Sequence, residues 1–173
     1  MNIFKCTMND WDPVTEFYDR VTEYLDKNIN YPKWTHKEYP GRESVYNSIK
    51  EGSQFACEDN RKIIGAFVLN DDPQGAYHLG HWSKDFSNGE YLIIHALASD
   101  PDIYGKGIAK SMVKYCIETT KERGYGALRL DVVPTNIPAR RLYEKMGFTF
   151  VEERDLLRGI EYIPAFALYE MNL

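Results

Sequence analysis

The chain has 173 residues, 43% of them hydrophobic, which is sufficient for one folded domain with a core. Its 21 basic and 26 acidic residues give a formal net charge of −5, which disfavours a polyanionic partner such as nucleic acid. The three cysteines lack metal-site spacing, and no apolar stretch is typical of a signal peptide or a membrane span. We therefore expect a cytoplasmic protein with buried, reduced thiols and no membrane segment.

The first fifty residues contain the signals of one strand and two helices. Residues 2–7 are typical of a short strand, and Asp12 followed by Pro13 is typical of a helix start. Apolar side chains then recur on one helical face at Val14, Phe17, Val21, Tyr24 and Leu25. After an aromatic loop, a shorter helical pattern ends at Gly52.

A hairpin and a buried strand follow. Gln54–Glu58 and Lys62–Leu69 flank a predicted turn at Asp59 and Asn60. An aromatic loop, residues 70–89, precedes the apolar run Tyr91–Ala98, which predicts a buried strand.

In the last third of the chain, predicted helices and strands alternate. A helical period begins at Ile108, Leu128–Val133 alternates as a strand does, and residues 136–147 predict a helix followed by two more strands. The order β-α-α-β-β-β-α-β-α-β-β predicts a mixed α/β (α+β) fold. Its central sheet should be largely antiparallel and flanked by helices, in one domain over residues 1–173.

The turn at residues 100–109 is the most informative segment, because it joins a strand to a helix. Gly105 and Gly107 keep side chains out of the turn, so that backbone N–H groups can converge on an anion. The helix N-terminus adds its partial positive charge. The segment therefore predicts a phosphate site.

Three kinds of phosphate site share this outline. A Walker loop would require glycine where Tyr104 and Ala109 stand, and a dinucleotide loop would require a small residue at Lys110. The third resembles the pyrophosphate loop of the GNAT superfamily of N-acyltransferases, Gln/Arg-x-x-Gly-x-Gly/Ala. Gly107 and Ala109 match that pattern and Tyr104 departs from it, so the loop alone leaves the choice open.

A second segment favours the GNAT resemblance. Residues 136–148 fill every position of the other GNAT signature, Asn-x-x-Ala-x-x-Leu-Tyr-x-Lys-x-Gly-Phe. Asn136 is a good helix cap, Pro138 suits a first turn, and Gly147 is placed to end the helix. The resemblance covers roughly residues 54–172 and, more weakly, the first helical region.

The resemblance implies an acetyl-CoA-dependent N-acetyltransferase. The acetyl group would pass to a primary amine by direct attack on the thioester, without a metal or a covalent enzyme intermediate. The acceptor would be a small-molecule or peptide amine, and a homodimer is open because many superfamily members are dimers. The alternative on the same fold is a non-catalytic acyl-CoA-binding or sensing module, which would keep the loop and lose the acid and base.

The resemblance also assigns the cofactor-binding residues. Backbone N–H groups of the turn would receive the CoA pyrophosphate, and the end of the preceding strand would offer free backbone groups to the pantetheine and the thioester. The expected residues are Leu97, Ala98, Ser99, Tyr104, Gly105, Lys106, Gly107, Ile108, Ala109, Lys110, Asn136 and Tyr143.

Four side chains are candidates for the chemistry or its surroundings. Tyr143, at the signature's Leu-Tyr position, would protonate the leaving thiolate, or else pack on an amphipathic helix. His95, inside an apolar strand, would accept the amine proton or be a satisfied core histidine, and strand alternation places it with Leu97 unless a bulge intervenes. Glu90 is either the alternative base or an exposed charge at the start of the strand. Asp131 is either a polar group of the active site or a member of a salt bridge.

Two aromatic loops are the candidate substrate walls. Tyr31 and Trp34 come from the first, and Trp82 comes from the second. Such rings could bind a cationic amine or could simply cover the sheet. His78 and His81 lie three residues apart without an accompanying cysteine, so we expect no metal site.

Overall fold

The structure is a computed structural model that describes residues 1–103 and 105–173. In these ranges the elements follow the predicted order, which is thereby confirmed. The strands are β1 (Asn2–Lys5), β2 (Gln54–Asp59), β3 (Lys62–Asn70), β4 (Tyr91–Ser99), β5 (Ala127–Val132), β6 (Thr149–Arg154) and β7 (Phe166–Asn172). The helices are α1 (Trp11–Lys27), α2 (Arg42–Lys50), α3 (Ile108–Glu122) and α4 (Ile137–Lys145).

The strands form one seven-stranded sheet in the order β1-β2-β3-β4-β5-β7-β6. Antiparallel pairs are β1 with β2, β2 with β3, β5 with β7 and β6 with β7, whereas β4 and β5 are parallel. The predicted class, a mixed fold with a largely antiparallel sheet, is confirmed.

The chain divides into two compact units. The first unit comprises Met1–Leu69 and His95–Tyr115, and the second unit comprises Asn70–Ile94 and Cys116–Leu173. Each unit therefore contains part of β4 and part of α3. Over the described ranges, no helix combines the length and the apolar character that crossing a bilayer requires.

In the first unit, the N-terminal segment differs from the prediction by one or two residues. Thr7 donates its backbone N–H to the Asp10 carboxylate at 2.7 Å, so β1 ends early and a 3-10 turn precedes α1. The helix consequently begins at Trp11, and Asp12 forms an ion pair with Arg42 at 2.8 Å rather than the cap.

The core of the first unit lies between β1 to β3 and the two N-terminal helices. Val14, Phe17 and Val21 are buried as the helical period predicts, whereas Tyr24 and Leu25 are only partly buried. Tyr18 and Thr22 are buried as well, although neither belongs to the predicted apolar face.

The β2–β3 turn lies one residue later than predicted. Asp59 pairs with Lys62, so the two turn residues are Asn60 and Arg61, with φ values of 50° and 61°. Positive φ at both central positions is the geometry of a type I′ turn, whose twist matches that of the flanking strands.

Gly65 allows close contact between β3 and the start of α3. A Cβ atom at this position would lie 2.8 Å from Met112 Sδ and 3.1 Å from Ile108 Cγ2. Since Ile108 is the first residue of α3, the helix begins directly against the backbone of the strand.

In the second unit, β5 lies beside β4 and β7. Its pairing with β4 includes Tyr91 opposite Ala127 and Ile94 opposite Leu130. The helix α4 begins as predicted, with the Asn136 side chain accepting the N–H of Ala139 at 3.3 Å. Tyr77, Ile93, Leu156 and Leu168 belong to the core cluster on this side of the chain.

Candidate active site

The strand before the glycine turn has a backbone irregularity at Ala96, here called the bulge. Its φ is +48°, a region that costs a non-glycine residue about 1–3 kcal/mol and persists only where the surroundings impose it. His95, immediately before Ala96, is 7% exposed, and Leu97 and Ser99 are partly buried. The simple alternation that would place His95 and Leu97 on one face is interrupted here, since Ala96 departs from extended geometry.

Asp100 anchors the chain where β4 ends and the turn begins. Its carboxylate, 4% exposed as a residue, lies 2.8 Å from Lys62 Nζ and accepts the N–H of Asp102 at 3.0 Å. Its own N–H donates to the Ile64 carbonyl at 2.8 Å. Burial alone would raise the pKa of Asp100, but Lys62 and the Asp102 N–H outweigh it, and the pKa lies below its ordinary value.

The turn itself is an open backbone cradle. Gly105 and Gly107 have φ values of 77° and 66°, and no heavy atom of the described residues lies within 4 Å of a Cβ built at either position. Lys106 between them is exposed, whereas Tyr104, predicted as part of this loop, lies outside the described residues.

The helix after the turn supplies further donors. Its first backbone bond joins the Ser111 N–H to the Gly107 carbonyl at 2.9 Å. The N–H groups of Ile108, Ala109 and Lys110 therefore lie in the first turn, where no intrahelical carbonyl is available to them. A cradle of glycine backbone at a helix N-terminus fits an anionic pyrophosphate such as that of CoA.

Tyr143 lies on α4 in the second unit and is 6% exposed. Burial raises its pKa well above the ordinary value, and electrostatic interactions with Cys116 and Asp131 add to the effect. Its ring contacts Phe148 edge to face, with centroids 5.6 Å apart. The side chain is therefore packed, as one interpretation of the sequence expected, and remains a protonated phenol, as the acid role requires.

Asp131, on β5, is the centre of a buried polar network. Arg158 donates to both of its carboxylate oxygens at 2.8 Å, and the Tyr77 hydroxyl donates to Oδ1 at 2.6 Å. Arg158 also donates to the backbone carbonyls of Gln74 and Pro73, at 2.6 and 3.3 Å. The expected salt-bridge role of Asp131 is realised, although its partner comes from a loop.

Sequence reasoning missed Arg158 and the contact that Tyr77, from the aromatic loop at residues 70–89, makes with Asp131. Tyr77 is fully buried, and burial together with Asp131 raises the pKa of its phenol. Neither residue belongs to a periodic pattern or a motif. The one available signal was Asp131 itself, a carboxylate in an otherwise apolar strand.

Glu90 and Asn136 make local hydrogen bonds. Glu90 is exposed just before β4, and its carboxylate accepts the backbone N–H of Ser87 at 2.6 Å. Asn136 caps α4, as predicted from its position. The base role of Glu90 and the cofactor contact of Asn136 stay predictions.

The aromatic side chains of the two loops pack within their own units. Trp34 contacts Tyr18 and Tyr39 edge to face, at 6.4 and 6.3 Å between centroids. Trp82 stacks on Tyr77 at 5.4 Å, and the Arg129 guanidinium lies 4.1 Å from its ring centroid. These contacts are those of rings that cover the sheet, whereas a substrate contact stays a prediction for both tryptophans and for the partly buried Tyr31.

His81, one of the two histidines of the second aromatic loop, pairs with a carboxylate. His81 Nδ1 lies 3.0 Å from Glu152 Oε2, which makes an exposed pair. Within residues 1–103 and 105–173, no group of three or more His, Cys, Asp or Glu side chains is arranged to hold a metal ion.

Comparisons with known proteins identify the family to which the chain belongs. The model of the acetyltransferase (GNAT) family matches residues 12–148. An uncharacterised N-acetyltransferase of Methanocaldococcus jannaschii is 29% identical over 157 residues, which are 88% of this chain and 61% of that protein. The chain thus spans about three fifths of that relative's length.

Solved structures show the same fold. A GNAT-family acetyltransferase from Streptococcus agalactiae has a TM-score of 0.80 at 17% identity and covers 99% of this chain and 95% of its own. A structure from Salmonella typhimurium with its cofactor acetyl-CoA has a TM-score of 0.69 at 16% identity, and the coverage is 100% and 94%. Because the family model matches most of the chain, this protein belongs to the GNAT family of acetyltransferases.

Proposed function

We propose that this protein transfers the acetyl group of acetyl-CoA to a primary amine. The observation that carries the proposal is the continuous segment from the bulge at Ala96 to the open glycines before α3. In our proposal, backbone groups rather than side chains would face the ligand at Ala96 and at the two glycines. Thioester and pyrophosphate are the parts of acetyl-CoA that require such donors.

The binding residues proposed for acetyl-CoA are those that the GNAT resemblance assigned. Residues 104–110 would hold the pyrophosphate through N–H groups, with Lys106 and Lys110 adding positive charge. Leu97, Ala98 and Ser99 would bind the pantetheine arm and orient the thioester carbonyl. When bound, the cofactor supplies an acyl carbon that is open to direct attack.

Two side chains would move the protons. His95 accepts the proton that the attacking amine loses as the N–C bond forms, and Glu90 is the alternative base. Tyr143 gives its proton to the sulfur as the C–S bond breaks. Burial raises the pKa of Tyr143, so the phenol carries at neutral pH the proton that this step requires.

The base assignment favours His95 over Glu90. The Glu90 carboxylate already accepts a hydrogen bond in an exposed turn, whereas His95 adjoins the bulge that would bind the thioester. Imidazoles as a class are also better matched to proton removal at neutral pH than carboxylates are.

The test is acetyl transfer itself, followed as free thiol released from acetyl-CoA. The acceptor panel contains a polyamine, free amino acids, an aminoglycoside, a peptide with a free N-terminus and a lysine peptide. We expect at least one amine class to accelerate thiol release well above the rate without acceptor. If acetyl-CoA binds and no amine class accelerates its cleavage, the protein is an acyl-CoA-binding module instead.

A matched pair of glycine substitutions tests where the cofactor binds. Gly107 and Gly124 both have positive φ, 66° and 76°, and both have open space where a Cβ would be. Gly107→Glu and Gly124→Glu therefore impose similar backbone strain, but only the first introduces a carboxylate into the proposed cradle. We expect about a tenfold or greater loss of CoA affinity for Gly107→Glu alone, measured by calorimetric titration.

Equal affinity in the two glycine variants would exclude this turn as the pyrophosphate site.

A further inference from the structure

A buried tyrosine of α1 holds the strained residue of β4. Tyr18 is fully buried, and its hydroxyl donates to the Ala96 carbonyl at 2.8 Å. The two residues are 78 positions apart in the chain, so this hydrogen bond is a tertiary contact made only in the folded unit.

The contact is made to a residue whose backbone conformation requires support. Ala96 has a φ of +48° although it carries a Cβ, and such a conformation persists only where its surroundings over-determine it. The hydrogen bond from Tyr18 to the Ala96 carbonyl is one of the contacts that impose this conformation. A phenylalanine at position 18 would fill the same space but would not make this hydrogen bond.

The phenol is itself firmly held. Its ring contacts Phe17 and Trp34 edge to face, with centroids 5.4 and 6.4 Å away. Burial raises the pKa of Tyr18 far more than its hydrogen bond with Gln54 lowers it, so the hydroxyl retains its proton. The donor is thus available to Ala96 throughout the neutral pH range.

Planarity of the peptide bond extends the effect by one residue. The Ala96 carbonyl and the Leu97 N–H belong to the same rigid plane and point in opposite directions. When Tyr18 fixes the carbonyl oxygen, it also fixes the direction of the Leu97 N–H. Leu97 is one of the residues proposed above to orient the thioester.

We propose that Tyr18 is a positioning residue for acetyl transfer, whose hydroxyl sets the orientation of the Ala96–Leu97 peptide. This inference rests on the proposed function and adds a residue that neither GNAT signature contains. Tyr18 touches no substrate; it acts through a backbone group that would.

The first test is Tyr18→Phe, with Tyr115→Phe as the matched control. Tyr115 is a partly buried tyrosine of the same unit whose ring contacts Phe55 and Phe67. We expect kcat to fall about tenfold in Tyr18→Phe, because a misdirected donor loses part of its transition-state stabilisation. The affinity for CoA without its acetyl group should stay within about twofold of the parent in both variants, since the glycine loop is intact.

A rescue separates positioning from simple loss of packing. Glycine adopts positive φ without a Cβ penalty, so Ala96→Gly removes the strain that the hydroxyl offsets. We expect the tenfold penalty of Tyr18→Phe to shrink to about threefold or less when glycine occupies position 96. A penalty of the same size on both backgrounds, or no penalty at all, would overturn the proposal.

A third measurement does not depend on turnover. The amide resonance of Leu97 and its hydrogen-exchange rate should change in Tyr18→Phe and stay unchanged in Tyr115→Phe. If the parent protein transfers no acetyl group, the proposed function fails while this readout still decides the role of Tyr18. Unchanged Leu97 exchange in a folded Tyr18→Phe protein would contradict the inference.

Discussion

The two units contribute different kinds of candidate functional group. Apart from the His95 side chain, the candidate site in the first unit is made of backbone: a bulge at Ala96 and two open glycines, supported by a neutral hydrogen bond from Tyr18. In the second unit it is made of side chains, with Tyr143 in the field of Asp131 and Asp131 neutralised by Arg158. The first kind of site depends on φ angles, and the second depends on charge balance.

Because of this difference, substitutions in the two units should have different effects on catalysis and on stability. Removing a neutral hydrogen bond typically costs about 1 kcal/mol, so a backbone site loses its geometry before it loses its fold. Breaking a buried ion pair leaves a charge without compensation and typically costs about 3–5 kcal/mol. Damage to the first unit should therefore appear mainly in kinetics, and damage to the Asp131 network mainly in stability.

The largest effect is expected from Arg158→Leu. The substitution leaves the Asp131 carboxylate, whose side chain is only 9% exposed, beside Tyr77 without its cation. We expect the free energy of unfolding to fall by about 3–5 kcal/mol, measured by urea denaturation near neutral pH.

Arg141→Leu, on the exposed surface of α4, is the control and should change stability by less than about 0.5 kcal/mol. Adding Asp131→Leu to Arg158→Leu should restore much of the loss, because the orphaned charge is then removed. If Arg158→Leu were as stable as Arg141→Leu, the contrast between the two units would have no basis.

Tyr143→Phe should have the next largest effect, which is a decrease in kcat. The substitution keeps the ring against Phe148 and removes only the proton that would go to the thiolate. We expect kcat to fall roughly tenfold to a hundredfold, up to the lower end of the range typical of general acid catalysis, with CoA affinity and thermal stability nearly unchanged. An unchanged kcat at saturating substrates would leave Tyr143 with a packing role only.

Asp100→Asn should have the smallest effect, and it sharpens the comparison because Asp100 is a buried charge in the unit that otherwise relies on backbone. Loss of the Lys62 pair loosens the start of the glycine loop, so we expect the KM for acetyl-CoA to rise about threefold to fivefold.

The pH dependence of stability gives the same substitution a second readout. Since the pKa of Asp100 is lowered in the folded state, its stabilising effect is full above the unfolded pKa of about 3.9 and disappears as pH falls through the lower folded value. The stability difference between parent and variant should therefore be constant above about pH 5 and shrink in acid. A pH-independent difference would show that the Asp100 charge does not contribute.

The sequence predicted the features that have local causes. The Asn136 cap and the two strands of the hairpin each have a residue pattern that favours one conformation, and each was found where expected. The hairpin turn was displaced by one residue because Arg61, which carries no turn preference, adopts positive φ along with Asn60. The signature segments predicted the family and the candidate cofactor loop for the same reason.

The sequence did not predict features that depend on distant partners. Alanine at position 96 carries no sign of a positive φ, since that conformation is supported by Tyr18 from another part of the chain. The pairing of Asp131 with Arg158 likewise joins a strand to an irregular loop. Periodicity describes which face of an element is buried and cannot say which polar groups meet there.

Gly65 determines how closely α3 packs against β3 in the first unit. Because a Cβ at this position would press on Met112 and on Ile108, the volume of residue 65 determines how closely α3 approaches the strand beneath it. The glycine loop is continuous with that helix, so a shift of the helix would shift the loop as well. Under the proposed function, the size of residue 65 would therefore influence how far acetyl-CoA extends towards Ala96, although residue 65 is not among the proposed binding residues.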